Sequence, residues 1–138
     1  LKKMVAMLNL EGKVKFQPRQ PAKLLRKYTQ AADLGLSLDK DTNMNYRYSL
    51  PNKIFDYIQA GIPVLASDLP EVKKIIEGYG VGSISPSHDP KVLAHCMIDL
   101  LQQTDDPNLK ERIEKAAYEL HWGNEQHYLI ELLKKIGN

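Results

Sequence analysis

Residues 49–67 constrain the fold of this chain more than any other part of its sequence, because they predict a helix, a turn and a buried strand in succession. Pro51 suits the first turn of a helix, where its missing N–H group would have no partner. Gly61 suits the left-handed conformation that ends a helix, and Pro63 prevents the helix from continuing. The apolar run at residues 64–66 then predicts a strand that is covered on both faces. This order indicates a parallel sheet with helices packed on it.

The helix in this stretch is amphipathic and has an unusual charge at its start. Its apolar face carries Ile54, Phe55 and Ile58, and the opposite face carries Asn52, Asp56 and Gln59. Lys53 lies in the first turn, where a cation costs roughly a few tenths of a kcal/mol unless an anion lies between it and the free N–H groups. A bound phosphate would remove that conflict. Exposure of Lys53 to water, or an ion pair with Asp56, would also remove it.

The same residues resemble the donor-binding signature of a known enzyme family. Residues 51–57 (PNKIFDY) followed by residues 60–64 (AGIPV) are similar to the motif of the retaining GT-B glycosyltransferases of group 1, the GT4-like family. In that family the segment lies in a C-terminal Rossmann-like domain and holds the nucleoside diphosphate of a sugar donor. The resemblance implies that Asn52 and Lys53 contact the diphosphate. It also implies that Asp56, which replaces the usual glutamate, accepts hydrogen bonds from the ribose hydroxyls.

Three further residues are candidate neighbours of the donor sugar: Asn45, Tyr48 and Ser49. Many relatives carry another glutamate, eight positions before the residue that corresponds to Asp56, and this glutamate touches the donor sugar. This chain has Tyr48 at that position, so the glutamate contact does not transfer. Relatives with the Pro-Asn-Lys sequence often have an asparagine near Asn45. No residue of this chain is identified as catalytic.

The wider pattern predicts an α/β fold with a parallel sheet, flanking helices and right-handed crossovers, and the resemblance implies that this sheet is Rossmann-like. An initial helix is predicted over residues 1–10, a polar loop over residues 39–48, and strands over residues 14–16, 34–38, 63–67 and 80–84. The family's C-terminal domain has six strands in the order 3-2-1-4-5-6, and these four resemble its last four. The resemblance therefore implies that residues 1–138 are a single, truncated nucleotide-sugar-binding domain. It also implies that its first two strands and the N-terminal acceptor domain are missing.

Local signals predict how the later helices begin and which face they bury. Asp68 and Glu71 have the spacing of a capping box, with Asp68 as the N-cap. Asp89 and Asp106 each precede a proline and are predicted to cap the next two helices. Cys96 lies on the apolar face of the first of these helices and is predicted to be a buried small hydrophobe. A last helix is predicted from residue 124 to residue 136.

Composition excludes several classes of function. A net charge of +2 is too small to indicate nucleic acid binding, and a single cysteine allows no internal disulfide and fits a reducing compartment. The chain has no Walker loop, no Gly-x-Gly-x-x-Gly motif and no histidine pair with metal-ligand spacing. We therefore expect no metal and no cofactor, with the nucleotide sugar as substrate. We expect a cytoplasmic protein that in its intact form can associate peripherally with the inner face of the membrane.

The resemblance implies transfer of a hexose from a nucleoside diphosphate sugar to a saccharide or lipid-linked acceptor, in bacterial polysaccharide or glycan synthesis. The acceptor would bind through the N-terminal domain, so this chain alone is expected to be inactive. Two alternatives stay open. Asp39 and Asp41 form an Asp-x-Asp pair, which holds a divalent metal in GT-A transferases. The chain also has the length of a non-catalytic flavodoxin-like binding module, although residues 14–17 lack the acidic cluster of a phosphorylated receiver domain.

Overall fold

The computed structural model describes residues 1–136, except the side chain of Glu125. Helices and a small sheet alternate along these residues, so the predicted α/β class is confirmed. The elements are, in chain order, α1 (Lys2–Met7), α2 (Ala22–Gln30), β1 (Gly35–Ser37), α3 (Met44–Tyr48), α4 (Asn52–Gln59), β2 (Val64–Ser67), α5 (Pro70–Tyr79), β3 (Gly82–Ser85), α6 (Pro90–Leu101), α7 (Pro107–Glu119) and α8 (Trp122–Ile136).

The sheet has three parallel strands in the order β1-β2-β3. Gly35 of β1 aligns with Val64 of β2, which aligns with Gly82 of β3. The middle strand, β2, is buried along its whole length because a strand lies on each side of it and helices cover its faces. The buried strand predicted from the apolar run is therefore confirmed.

The strand predicted at residues 14–16 is wrong, so the sheet of the described residues has three strands and not four. Val14 and Phe16 are exposed, and the ammonium of Lys2 lies 6.0 Å from the centroid of the Phe16 ring. A strand needs a neighbour for its backbone hydrogen bonds, and no strand of the sheet runs beside this segment. The first helix is also shorter than predicted, since Asn9 adopts a left-handed conformation (φ 52°) just beyond it.

The predicted loop at residues 39–48 contains a short helix, α3. Its N-cap is Asn43, whose side-chain oxygen accepts a hydrogen bond from the Tyr46 N–H at 3.0 Å. An asparagine cap can hold a single helical turn in a polar segment that lacks hydrophobic periodicity. This is why the composition of the segment did not reveal the helix.

Helix α4 follows its predicted amphipathic pattern. Ile54 and Ile58 are fully buried, whereas the side chains on the opposite face are exposed. Gly61 has φ +80°, as predicted, and the N–H of Ile62 donates to the carbonyl of Tyr57 at 3.2 Å. This bond belongs to a Schellman motif, which turns the chain from α4 into β2. Pro51 lies one residue before the helix and acts as its N-cap.

The capping box predicted at Asp68 is wrong. Helix α5 has Leu69 at its N-cap and Pro70 at its first position, and no side chain caps it. Asp68 therefore lies one residue too early to reach the free N–H groups, and its carboxylate pairs with Lys73 at 3.2 Å instead. The other two predicted caps are confirmed, since Asp89 accepts from the N–H groups of α6 and Asp106 does so at α7.

One core lies between β2 and the helices α4, α5 and α7. Its fully buried members include Ile58, Leu65 and Ile76, and Leu109 and Ile113 extend it onto α7. The amide nitrogen of Gln59 donates to the carbonyl of Ala117 at 2.7 Å and fixes α4 against α7. Cys96 is half-buried and packs against this core, in line with its predicted apolar position.

Candidate functional site

The carboxyl ends of the three strands meet at one edge of the sheet, because the strands are parallel. Each strand ends in a buried serine: Ser37 in β1, Ser67 in β2 and Ser85 in β3. Ligands of open α/β sheets bind outside this edge. The edge therefore defines the region in which the predicted site residues have to be compared.

Lys53 reaches this edge from the first turn of α4. Its Nζ atom lies 2.8 Å from Oδ2 of Asp39, two residues beyond the end of β1. The same carboxylate oxygen accepts a hydrogen bond from Oγ of Ser37 at 3.3 Å. The side chain of Lys53 is 38% exposed and that of Asp39 is 27% exposed. The partner of Lys53 is therefore a carboxylate at the end of β1, and not Asp56 one turn along its own helix.

The N-terminus of α4 has free backbone donors. Pro51 offers no side-chain cap, and among the described residues the N–H groups of Asn52 and Lys53 have no hydrogen-bond partner. Free N–H groups and the helix dipole together favour an anion at such a terminus. The side chain of Lys53 adds a full positive charge in the same first turn of α4.

The structure does not bring Asn52 and Asp56 together with Lys53. Asn52 lines a cavity of about 700 Å³ beside Phe55 and Trp122. Asp56 lines a smaller cavity of about 200 Å³ between α4 and α2, beside Arg26. Residues 52 and 56 lie one turn apart on the same face of α4, and their two cavities share Arg26 and Gln59. Lys53 points away from that face, towards Asp39 at the end of β1.

A third cavity, of about 410 Å³, lies directly at the carboxyl ends of the strands. It is lined by Asp39, Asp41, Ser67, Ser85 and His88, among others. The imidazole Nε2 of His88 lies 3.4 Å from Oγ of Ser67. Ser85 and His88 were not among the predicted site residues. Both residues follow the last predicted strand, and ligands of open α/β sheets bind beyond the carboxyl ends of strands, so this position could have indicated them.

Asp39 and Asp41, the alternative metal pair, each face a cation of the chain. Asp39 contacts Lys53, and Oδ2 of Asp41 lies 3.7 Å from Nη1 of Arg47. Within residues 1–136, no group of three or more histidine, cysteine, aspartate or glutamate side chains is arranged to hold a metal ion.

The three candidate neighbours of the donor sugar lie on or beside α3. Asn45 and Tyr48 are exposed, and Oγ of Ser49 donates to the carbonyl of Tyr46 at 3.0 Å. None of the three lines one of the cavities described above. Among the described residues, no hydrogen bond or ion pair joins any of the three to Lys53 or Asp39.

Lys73 forms an ion pair with Asp68, which lies just beyond the end of β2. The hydrogen bond and the charge of Asp68, together with the charge of Glu77, raise the pKa of Lys73 above its ordinary value of 10.5. Lys73 is therefore a lasting cation at neutral pH that holds the Asp68 carboxylate beside the third cavity.

The comparison with protein families decides what kind of chain carries this site. The model of the family described as glycosyl transferases, group 1, matches residues 1–120. The chain belongs to the group 1 glycosyl transferases. The predicted family and its Rossmann-like fold are thereby confirmed. Comparisons with curated proteins and with solved structures find no match to this glycosyl transferase chain. None of its helices within residues 1–136 combines the length and the apolar composition that crossing a membrane requires.

Proposed function

We propose that this chain binds the nucleoside diphosphate of a sugar donor at the N-terminus of α4. In the intact enzyme, a hexosyl group would pass from that donor to a saccharide or lipid-linked acceptor with retention of stereochemistry. Membership of the group 1 glycosyl transferases supports the reaction class. The acceptor, a role in bacterial polysaccharide or glycan synthesis, and peripheral association with the cytoplasmic face of a membrane belong to the same proposal.

The observation that carries the proposal is the arrangement around Lys53. The first turn of α4 has two free N–H groups and the positive end of the helix dipole, and its Lys53 ammonium contacts Asp39 just beyond the end of β1. Donors fixed in advance stabilise charge as it develops on a leaving group, which is the main demand when a diphosphate departs. Lys53 would meet the charge that grows on the diphosphate. Asn52 would supply a second contact through its free backbone N–H group, because its side chain lines the cavity beside Phe55 and Trp122. In this proposal no metal ion is required.

Asp56 is proposed to bind the ribose of the donor. Its carboxylate lines the cavity between α4 and α2, one turn from Lys53 along the same helix. A carboxylate accepts hydrogen bonds from a pair of neighbouring hydroxyl groups, which is what a ribose offers.

The test is calorimetric titration of the chain with UDP and with GDP in the presence of EDTA, for the wild type and for Lys53→Ala. Hydrogen bonds to charged groups are worth about 1.5–3 kcal/mol, so we expect Lys53→Ala to weaken binding about tenfold or more. The nucleotide that binds more tightly identifies the base.

Lys91→Ala is the matched control. Lys91 also lies in the first turn of a helix, α6, but Asp89 caps that terminus. We expect this substitution to leave nucleotide binding unchanged. A folded wild-type chain that ignores millimolar UDP and GDP would rule out the donor site. Binding that requires manganese and disappears in Asp41→Asn would favour the Asp39 and Asp41 metal site instead.

A further inference from the structure

The cation proposed to bind the diphosphate already has an anionic partner. Lys53 Nζ lies 2.8 Å from Oδ2 of Asp39, which is the distance of a direct, charge-assisted hydrogen bond. An anion at the start of α4 therefore meets a lysine that is occupied. We propose that Asp39 sets the affinity and the charge selectivity of this site by competing with the diphosphate for the Lys53 ammonium. This inference rests on the proposed donor site.

The local structure allows Lys53 to change partners. Both side chains are partly exposed, so their ion pair is weakened by solvent and opens at low cost. A lysine ammonium sits on a flexible four-carbon stem, and in a helix the side chain leans towards the N-terminus, where the free N–H groups of α4 lie. The ammonium can therefore leave Asp39 for a phosphate at the helix terminus without movement of the backbone.

Asp39 remains satisfied when Lys53 leaves. Its Oδ2 also accepts the hydrogen bond from Ser37, whose hydroxyl is buried at the end of β1. Because that bond holds the carboxylate at the sheet, Asp39 does not follow the lysine towards the ligand. Asp39 is thus a fixed competitor, and Lys53 is the part that moves.

Competition of this kind separates ligands by charge. A nucleoside without phosphate does not use Lys53, so it neither opens the ion pair nor gains from its loss. A diphosphate has to displace the carboxylate and binds only because it offers more charge to the ammonium and the N–H groups together. Replacing Asp39 by a neutral residue is therefore expected to favour UDP and to leave uridine unaffected.

The experiment measures the binding of UDP and of uridine to the wild type and to three single variants, Asp39→Asn, Asp41→Asn and Lys53→Met. The double variant with Lys53→Met and Asp39→Asn completes the comparison. Exposed ion pairs contribute little, so we expect Asp39→Asn to tighten UDP binding about two- to fivefold. Uridine affinity should not change. In the Lys53→Met background, Asp39→Asn should have no effect, because the competition has been removed. Asp41→Asn removes the same charge from the same cavity without touching Lys53 and should also have no effect.

Each other result overturns the inference. UDP binding that is unchanged or weaker in Asp39→Asn would mean that Asp39 positions Lys53 instead of competing for it. An equal gain in Asp41→Asn, or in the Lys53→Met background, would show general repulsion of anions by the sheet edge. Asp39→Ser gives a second measure if the asparagine variant unfolds. If the wild type itself binds no UDP, the proposed donor site fails, and that outcome is distinct from a failure of the Asp39 inference.

Discussion

At the scale of single residues, Lys73 shows how two carboxylates fix the ionisation of one cation. Its ammonium lies 3.2 Å from Asp68 and 3.9 Å from Glu77, and its pKa is raised above 10.5. A group whose folded pKa is raised stabilises the folded state fully below its unfolded pKa. That contribution is lost as the pH rises through the higher folded value.

We therefore expect a pH-dependent difference between the wild type and Lys73→Met. The difference in free energy of unfolding should be constant from about pH 7 to pH 9.5 and should shrink above the ordinary lysine pKa of 10.5. Urea unfolding at a series of pH values measures it. Asp68→Asn removes the carboxylate that contributes most to the raised pKa of Lys73, so most of the pH dependence should vanish in that background. A difference that grows above pH 10.5 would contradict the assignment.

The residues of the site were only partly predictable. Lys53 was a candidate because a cation in the first turn of a helix conflicts with the helix dipole, and because its motif resembles the family's donor-binding signature. Its partner Asp39 lies fourteen positions earlier in the chain, just after β1. Only the packing of α4 beside β1 brings the two side chains together, so their pairing could not be read from the sequence. Asn52 and Asp56 share a motif with Lys53, but they lie on another face of α4 and line the cavities beside α2, while Lys53 reaches Asp39.

At the scale of elements, substitution of two glycines near helix ends is expected to change the free energy of unfolding in opposite directions. Gly61 follows α4 with φ +80°, whereas Gly78 lies inside α5 with an ordinary conformation. A Cβ atom at either position meets no atom within 4 Å, so packing does not distinguish the two sites. Only the backbone conformation does, which makes the two positions a matched pair.

We expect Gly61→Ala to lower the free energy of unfolding by about 1–2 kcal/mol, because an L-residue is strained in the left-handed region. We expect Gly78→Ala to raise it by about 0.5–1 kcal/mol, because alanine favours the helix and restricts the unfolded chain. Equilibrium urea unfolding measures both. Equal destabilisation by the two substitutions would contradict this account of the α4 ending.

The elements whose own sequence carries a clear pattern were predicted, and so were β1 and β3, whereas the segment 14–16 and the start of α5 were predicted wrongly. Helices α4, α6 and α7 and strand β2 carry hydrophobic periodicity, a cap or a glycine stop within the segment itself. The segment 14–16 has strand-like composition but lacks a neighbouring strand, and this cannot be read from three residues. In α5, Pro70 moved the helix start past Asp68 and cancelled a capping box of correct spacing.

At the scale of the whole molecule, the sheet ends at β1 with a partly protected edge. The N–H of Gly35 donates to Pro63 of the β2 side at 2.9 Å, so the backbone groups of Leu36 face away from β2. The hydroxyl of Tyr57 donates to the Leu36 carbonyl at 3.3 Å. This bond occupies one acceptor of the edge, which limits the pairing of β1 with other strands.

Helix α8 stands apart from the core and should differ in stability from the rest. Residues 126–136 are exposed, whereas α7 buries Leu109, Ile113 and Ala116. Amide hydrogen exchange should therefore be orders of magnitude faster in α8 than in β2 and α7, since α8 can unfold without opening the core. Slow exchange in α8 that depends on protein concentration would instead show that a second copy of the chain covers it.

The wide cavity beside α4 gives the protein a built-in optical probe. The chain contains one tryptophan, and that residue, Trp122, lines the same cavity as Asn52 and Phe55. Because the indole is 65% exposed, its emission is sensitive to any change in polarity or quenching at this position. Intrinsic fluorescence therefore follows events at the start of α4 without a label, and stopped-flow mixing can time them.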